Sequence, residues 1–190
     1  MRIVTTLMLV LAILATVGCR QAAAPVAVSN RPVSINGFPQ TNVPLPPSKP
    51  IRDMEWTTLD GYVGKLADYQ GKAVILDFWA TYCGPCREEI PHLNSLLAKH
   101  GADNLVIVGL NVGGKEDLTE IPNFTQKTKI DYSIAVPEDA LSRFIFAESS
   151  AIPQTAVFDR NGQLVQKFIG YGPSMRADLD RALETAISRN

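Results

Sequence analysis

Two nearly uninterrupted apolar runs, at 73–79 and 105–111, organise the middle of this chain. Ala73-Val-Ile-Leu-Asp-Phe-Trp79 carries one acid in seven positions and follows Gly71-Lys72, the pattern of a strand covered on both faces of its sheet. Leu105-Val-Ile-Val-Gly-Leu-Asn111 repeats that pattern. Between them Ile90, Leu93, Leu96 and Leu97 recur at helical spacing and Gly101 supplies a stop, which predicts a helix over 86–100. Strand, helix and strand in that order imply a right-handed parallel crossover. Further on, the pattern predicts a helical stretch near 116–129 broken by Pro122, a short strand at 133–136 and a helical turn or two at 141–146. Strands at 155–159 and 164–169 follow, joined by an Asn161-Gly162 hairpin turn. A last helix starts at Ser174, with Leu179, Leu183 and Ile187 on one face. The class is α/β with a mixed sheet.

The first fifty residues follow neither period. Ile3 to Val17 is apolar apart from three threonines and is preceded by a single charge, Arg2, which reads as an export signal over 1–18. Small residues then lead to a cysteine, Ala15-Thr16-Val17-Gly18-Cys19, which resembles the lipobox of bacterial lipoproteins. The resemblance implies cleavage before Cys19 and lipid on its thiol; Arg20 after it, where retained lipoproteins carry Asp, favours the outer over the inner membrane of a periplasm. An uncleaved anchor or an ordinary signal peptide are the alternatives, and both export the chain. Residues 20–50 hold seven prolines, three basic side chains and no acid, the composition of a tether spanning up to about 95 Å in polyproline II form.

What remains, 51–190, is long enough for one domain and carries 14 basic and 19 acidic side chains. That net charge of −5 gives no electrostatic footprint for nucleic acid. Of the three cysteines, one precedes the tether and two stand together, so a multi-disulfide framework is excluded.

The chemistry concentrates in Trp79-Ala-Thr-Tyr-Cys83-Gly-Pro-Cys86, where a buried strand gives way to a helix. Cys83 falls at the helix N-terminus, where free N–H groups and the dipole favour a thiolate, and reads as the attacking sulfur. Cys86, one turn deeper, reads as the resolving thiol. Pro85 suits the first helical turn, and Gly84 lets a partner approach closely. Asp77 is a carboxyl in an apolar strand, which costs several kcal/mol unless it is paired or neutral, so desolvation should raise its pKa. A passive structural disulfide is the bland reading of the pair, though bridging adjacent turns of one helix constrains little. A zinc half-site lacks its second pair, with only His92 and His100 available, both read as surface or helix-end residues; no metal or cofactor is expected. Covalent haem needs a histidine at position 87, which is Arg87.

These residues resemble the thioredoxin superfamily, and within it the membrane-tethered TlpA/ResA-type branch. Asp77-Phe78-Trp79-Ala80, Cys83-Gly-Pro-Cys86 and Pro91 keep the spacing of the thioredoxin motif; Ala151-Ile152-Pro153 matches its cis-proline loop, and Gly170 the glycine after the last strand. Residues 57–71 resemble the branch's N-terminal hairpin and about 111–147 its helical insertion. The resemblance implies a thioredoxin-like fold, a mixed central sheet flanked by helices, and a monomer. It implies Asp77 as proton acceptor for Cys86, and an Asp satisfied by hydrogen bonds near the strand end is the alternative. Pro153 is implied to be cis, leaving the backbone of Ile152 open to a substrate strand, with Trp79 divided between the core and the rim of the dithiol.

Three departures stand out. Gly109 occupies the place of a thioredoxin lysine near the acid, Gly114 that of a glutamate in the cytochrome-maturation members, and Gln154 that of a threonine after the cis-proline. The expected activity is extracytoplasmic reduction of protein disulfides through Cys83 and Cys86, with a transmembrane dithiol donor returning electrons. The rivals are a thioredoxin-fold thiol peroxidase, whose Pro-x-x-x-Thr/Ser-x-x-Cys loop is missing ahead of Cys83, and a tethered binding lipoprotein with an inert disulfide.

Overall fold

The computed structural model describes residues 49–189; the expected export segment, Cys19 and all but the last two residues of the tether lie outside them. A seven-stranded mixed sheet is built from β1 (Glu55–Thr58), β2 (Val63–Lys65), β3 (Ala73–Trp79), β4 (Leu105–Asn111), β5 (Ser133–Pro137), β6 (Gln154–Phe158) and β7 (Leu164–Ile169), in the order β2-β1-β5-β4-β3-β6-β7. β3, β4 and β5 run parallel, and every other neighbouring pair is antiparallel. Helices α1 (Gly84–His100), α2 (Lys115–Lys127), α3 (Asp139–Ile145) and α4 (Pro173–Ser188) complete the fold. This is the mixed, helix-flanked sheet expected from the sequence.

β3 holds the centre because both its faces are covered. All seven of its residues are buried, and their alternation divides the core in two. Val74, Leu76 and Phe78 pack with Trp56 of the N-terminal hairpin and with Leu141 and Ile145 of α3. Ala73 and Ile75 pack with Leu93 and Leu96 of α1 and with Leu179 and Leu183 of α4. By the same alternation Asp77 and Trp79 point to the α1 side, so the one acid of the run is aimed beneath the helix that carries the cysteines. The end of β3 opens onto a third cluster, in which Trp79, Cys83, Cys86 and Ile90 meet Ile121 and Phe124 of α2.

The short strand expected at 133–136 is present as β5, which joins the hairpin strand β1 to β4. Two other expectations are corrected. Pro122 does not break α2 but sits inside it, on the exposed side. The helix gives up the bond from position 122 to the Leu118 carbonyl and persists because Ile121 and Phe124 on either side are buried. His92 is neither surface nor helix end. It is 5% exposed on the α1 stripe, with Nε2 2.9 Å from Oδ1 of Asp180 on α4. His100 does lie at the end of α1, near Glu184.

Candidate active site

Cys83 caps α1. Its sulfur accepts the backbone N–H of Cys86 at 3.2 Å, and Pro85 occupies the first turn, where a missing N–H costs nothing. The two cysteines form a disulfide with Cα atoms 5.3 Å apart. They are unequal in access: Cys83 retains 6% of its surface and Cys86 1%. Gly84 and Pro85 between them are exposed, and a side chain at Gly84 would meet nothing within 4 Å. The rim of the dithiol is therefore bare backbone on its helix side.

The opposite side is the Ile152-Pro153 loop. That peptide bond is cis, Pro153 is buried, and Ile152 packs against the cluster holding both cysteines. Gly170, at φ +84°, closes β7 and donates its N–H to the Pro153 carbonyl at 2.8 Å, fixing the loop from behind. Gln154, buried after the proline, turns its side-chain amide to the carbonyls of Ser149 and Ala151, so it serves the loop internally. Trp79 adjoins the dithiol from within the core: it is 0% exposed, shares a buried cluster with both cysteines, and sets its ring against Phe124 at 5.1 Å between centroids. Its expected share in a substrate-facing rim is not seen, because α2 covers it.

The loop from β3 to α1 is held by a residue that sequence reasoning missed. Asp117, in the first turn of α2 and 5% exposed, accepts the Thr81 N–H at 3.0 Å, the Thr81 hydroxyl, and the Asn111 amide at 2.6 Å. Arg87 donates to the Thr81 carbonyl at 2.6 Å through Nη2. Thr81 is thus clamped from both sides, two residues before Cys83. Gly113 is obligatory here, since a Cβ would fall 2.4 Å from the Asp117 carboxyl carbon.

Two buried carboxyls, not one, lie between α1 and the sheet. Asp77 is 1% exposed; Tyr132 donates its hydroxyl to Oδ2 at 3.1 Å, and Oδ1 has no partner among the described residues. Burial raises its pKa to about 7, with the Tyr132 hydrogen bond pulling the other way. Glu89, also 1% exposed and one turn along α1 from Cys86, takes the Thr155 hydroxyl on Oε1 at 2.5 Å and leaves Oε2 unpartnered. Burial first, and the charge of Asp77 second, push Glu89 well above the ordinary carboxyl range. The same burial, with Asp77 alongside, keeps Tyr132 protonated and a donor. Glu89 was discoverable: positions 86, 89, 93 and 96 form one helical stripe, and a glutamate within it is an anomaly.

Among the described residues no three His, Cys, Asp or Glu side chains cluster as a metal site, and no helix is long and apolar enough to cross a membrane. Tyr82, 68% exposed beside Cys83, is a large aromatic that the sequence reading passed over.

Comparison with known proteins agrees with this geometry. A model of the AhpC/TSA family matches residues 47–167. The thiol-disulfide oxidoreductase ResA of Geobacillus kaustophilus is 31% identical over 134 residues, covering 70% of this chain and 74% of that protein. ResA of Bacillus cereus is 33% identical over 117 residues, covering 60% and 64%. Among solved structures, a thiol:disulfide interchange protein of the thioredoxin family from Chlorobium tepidum superposes with a TM-score of 0.60 at 27% identity, over 74% of this chain and 99% of that one. With a cysteine pair at the end of a central strand facing a cis-proline, the chain belongs to the AhpC/TSA family, among its thioredoxin-like thiol-disulfide oxidoreductases.

Proposed function

We propose that this oxidoreductase is an exported, membrane-tethered reductant of protein disulfides, in which Cys83 attacks, Cys86 resolves and Asp77 accepts the resolving proton. The observation that carries the reading is the asymmetry of the pair: one sulfur sits at the helix cap beside bare backbone, the other is enclosed, and β3 carries a buried carboxyl, Asp77, on the sheet face that α1 covers. The Cys83 thiolate attacks one sulfur of a substrate disulfide, whose S–S bond breaks and releases the first substrate thiol. Cys86 gives its proton to Asp77 and attacks the Cys83 sulfur. The mixed disulfide breaks, the second substrate thiol leaves, and two electrons have passed to the substrate as the Cys83–Cys86 disulfide closes. An acid whose pKa sits at about 7 is matched to that proton at neutral pH.

Gly84, Pro85 and Ile152 line the approach to Cys83, and Pro153 with Gly170 fixes the loop opposite. No backbone bond ties the Ile152 N–H or C=O among the described residues, which suits pairing with an extended substrate segment. The apolar segment, the Cys19 context and the proline-rich stretch support export, a lipid anchor and a tether, and hence a transmembrane dithiol donor within reach.

Cys86→Ser tests the reading directly. The variant should accumulate mixed disulfides through Cys83 with exported proteins in cells, and capture of nothing by an exported, folded variant defeats it. Because a thiol peroxidase is the rival enzyme on a thioredoxin fold, peroxide consumption is the parallel measurement: fast peroxide turnover without insulin-disulfide reduction would replace reductase with peroxidase. A dithiol potential below about −300 mV that resists exchange would instead mark an inert disulfide.

A further inference from the structure

The position opposite Asp77 in the sheet is empty of side chain, and something specific fills it. Gly109 of β4 is the register partner of Asp77. A Cβ there would lie 2.9 Å from Cε2 of Tyr132 and 3.0 Å from Nε1 of Trp79, so the tyrosine ring occupies the room that glycine leaves. Tyr132 enters from the segment between α2 and β5. Its ring is half-buried and lines two surface grooves of about 440 and 470 Å³, while its hydroxyl reaches inward to Oδ2 of Asp77.

We infer that Tyr132 is the positioning residue of the acid: its hydroxyl engages one carboxylate oxygen, aims the other, unpartnered oxygen as the proton acceptor, and favours the ionised form that can take a proton. The inference rests on the reading of Asp77 as acceptor for Cys86. The ionisable groups around the acid are Glu89 from α1 and Tyr132 itself; β4 contributes Gly109, and β6 contributes Thr155, whose hydroxyl is committed to Glu89. Neither buried acid has a cationic partner among the described residues, so this hydroxyl is the one group that favours the charged form of Asp77. It is also neutral, so it stabilises a carboxylate without binding it in an ion pair that would blunt its basicity.

Stopped-flow reaction of the reduced chain with 5,5′-dithiobis(2-nitrobenzoate), in a Cys19→Ala background so that the dithiol supplies the only thiols, separates the steps. The first thionitrobenzoate released reports attack by Cys83 and the second reports resolution by Cys86. A hydrogen bond to a charged group corresponds to about one to two pH units. Tyr132→Phe should therefore move the midpoint of the second phase up by about that much and slow it about tenfold at pH 7, with recovery at alkaline pH and the first phase unchanged. Gly109→Ala, which displaces the ring, should shift the same phase in the same direction. In an Asp77→Asn background Tyr132→Phe should add nothing. A cooperatively melting Tyr132→Phe protein with the wild-type midpoint, alongside an Asp77→Asn protein whose midpoint moves, overturns the role of Tyr132 alone. An Asp77→Asn protein with an unchanged second phase overturns the acceptor reading, and this inference with it.

Discussion

Replacing Asp77 by Asn should stabilise the oxidised protein, and by an amount that depends on pH in a calculable way. Asn keeps the shape and the Tyr132 contact but cannot ionise. In the folded chain the Asp77 pKa is raised from 3.8 to about 7, chiefly by burial. At 1.36 kcal/mol per pH unit, holding the charged form in the fold costs about 4 kcal/mol once the pH exceeds 7. The sign follows from proton counting. Between about pH 4 and 7 the folded state binds the proton that the unfolded state has lost, so wild-type stability falls as pH rises through that window and flattens above it. At pH 5 about three-fifths of the penalty is still absent. The advantage of Asp77→Asn over wild type should therefore grow by about 2–3 kcal/mol between pH 5 and pH 8.5. Urea unfolding of both oxidised proteins at the two pH values measures it. An advantage of equal size at both would mean that Asp77 is not a desolvated acid, and would remove the basis for its role as a proton acceptor. The same variant should be slower in resolving mixed disulfides, which is the trade expected where a strained group is kept for chemistry.

Three further outcomes follow from the packing. Asp117→Ala strands the Thr81 and Asn111 donors and should lower stability by about 3 kcal/mol in chemical denaturation, with a slower attack by Cys83 in the thionitrobenzoate assay because the loop before it loses its clamp. Pro122→Ala restores an N–H to the Leu118 carbonyl at an exposed position of α2 and should raise stability by about 2 kcal/mol, the helix-interior penalty of proline less its entropic benefit in the unfolded chain; no change in melting temperature would show that α2 has fully absorbed the proline. Leu93→Ala empties a wholly buried site between α1 and the sheet and should cost about 2–5 kcal/mol in urea unfolding without moving the pH midpoint of either thiol phase.

The parts of this fold that were legible in the sequence are those where one physical signal dominates. β3 and β4 are apolar throughout because both sheet faces are covered, and the α1 stripe shows the same core from the helix side. Cys83, Cys86, Pro153 and Gly170 were readable because a helix start, a proline and a positive φ each restrict the residue types allowed. What failed to show was polar and buried. His92, Asp117 and Glu89 look like solvent-facing residues on a helix, and only their partners Asp180, Thr81 and Thr155, 88, 36 and 66 residues away in sequence, justify them inside. Pairing at that range leaves no local period. Pro122 misled for the opposite reason: a strong local rule yielded to the burial of its neighbours.

The register of the sheet explains why the two buried acids stay separate in role. One row runs through Gly109, Asp77, Thr155 and Phe168 on four successive strands. The glycine admits Tyr132 to one acid, and the threonine next to Asp77 serves the other, Glu89, from below. Each carboxyl is thus held by one hydroxyl and keeps one free oxygen, and the charge on either disfavours the charge on its neighbour. The site therefore takes up one negative charge before two. Burial penalises both acids and their repulsion is shared, so they titrate as a coupled pair rather than one by one. Asp77→Asn should lower the pKa of Glu89 by removing that repulsion, and a carboxyl that titrates at lower pH in the variant, seen as a carbon-13 shift of a labelled Glu89, would demonstrate the coupling. Unchanged titration of Glu89 would show that the two acids act independently, and would overturn their coupling.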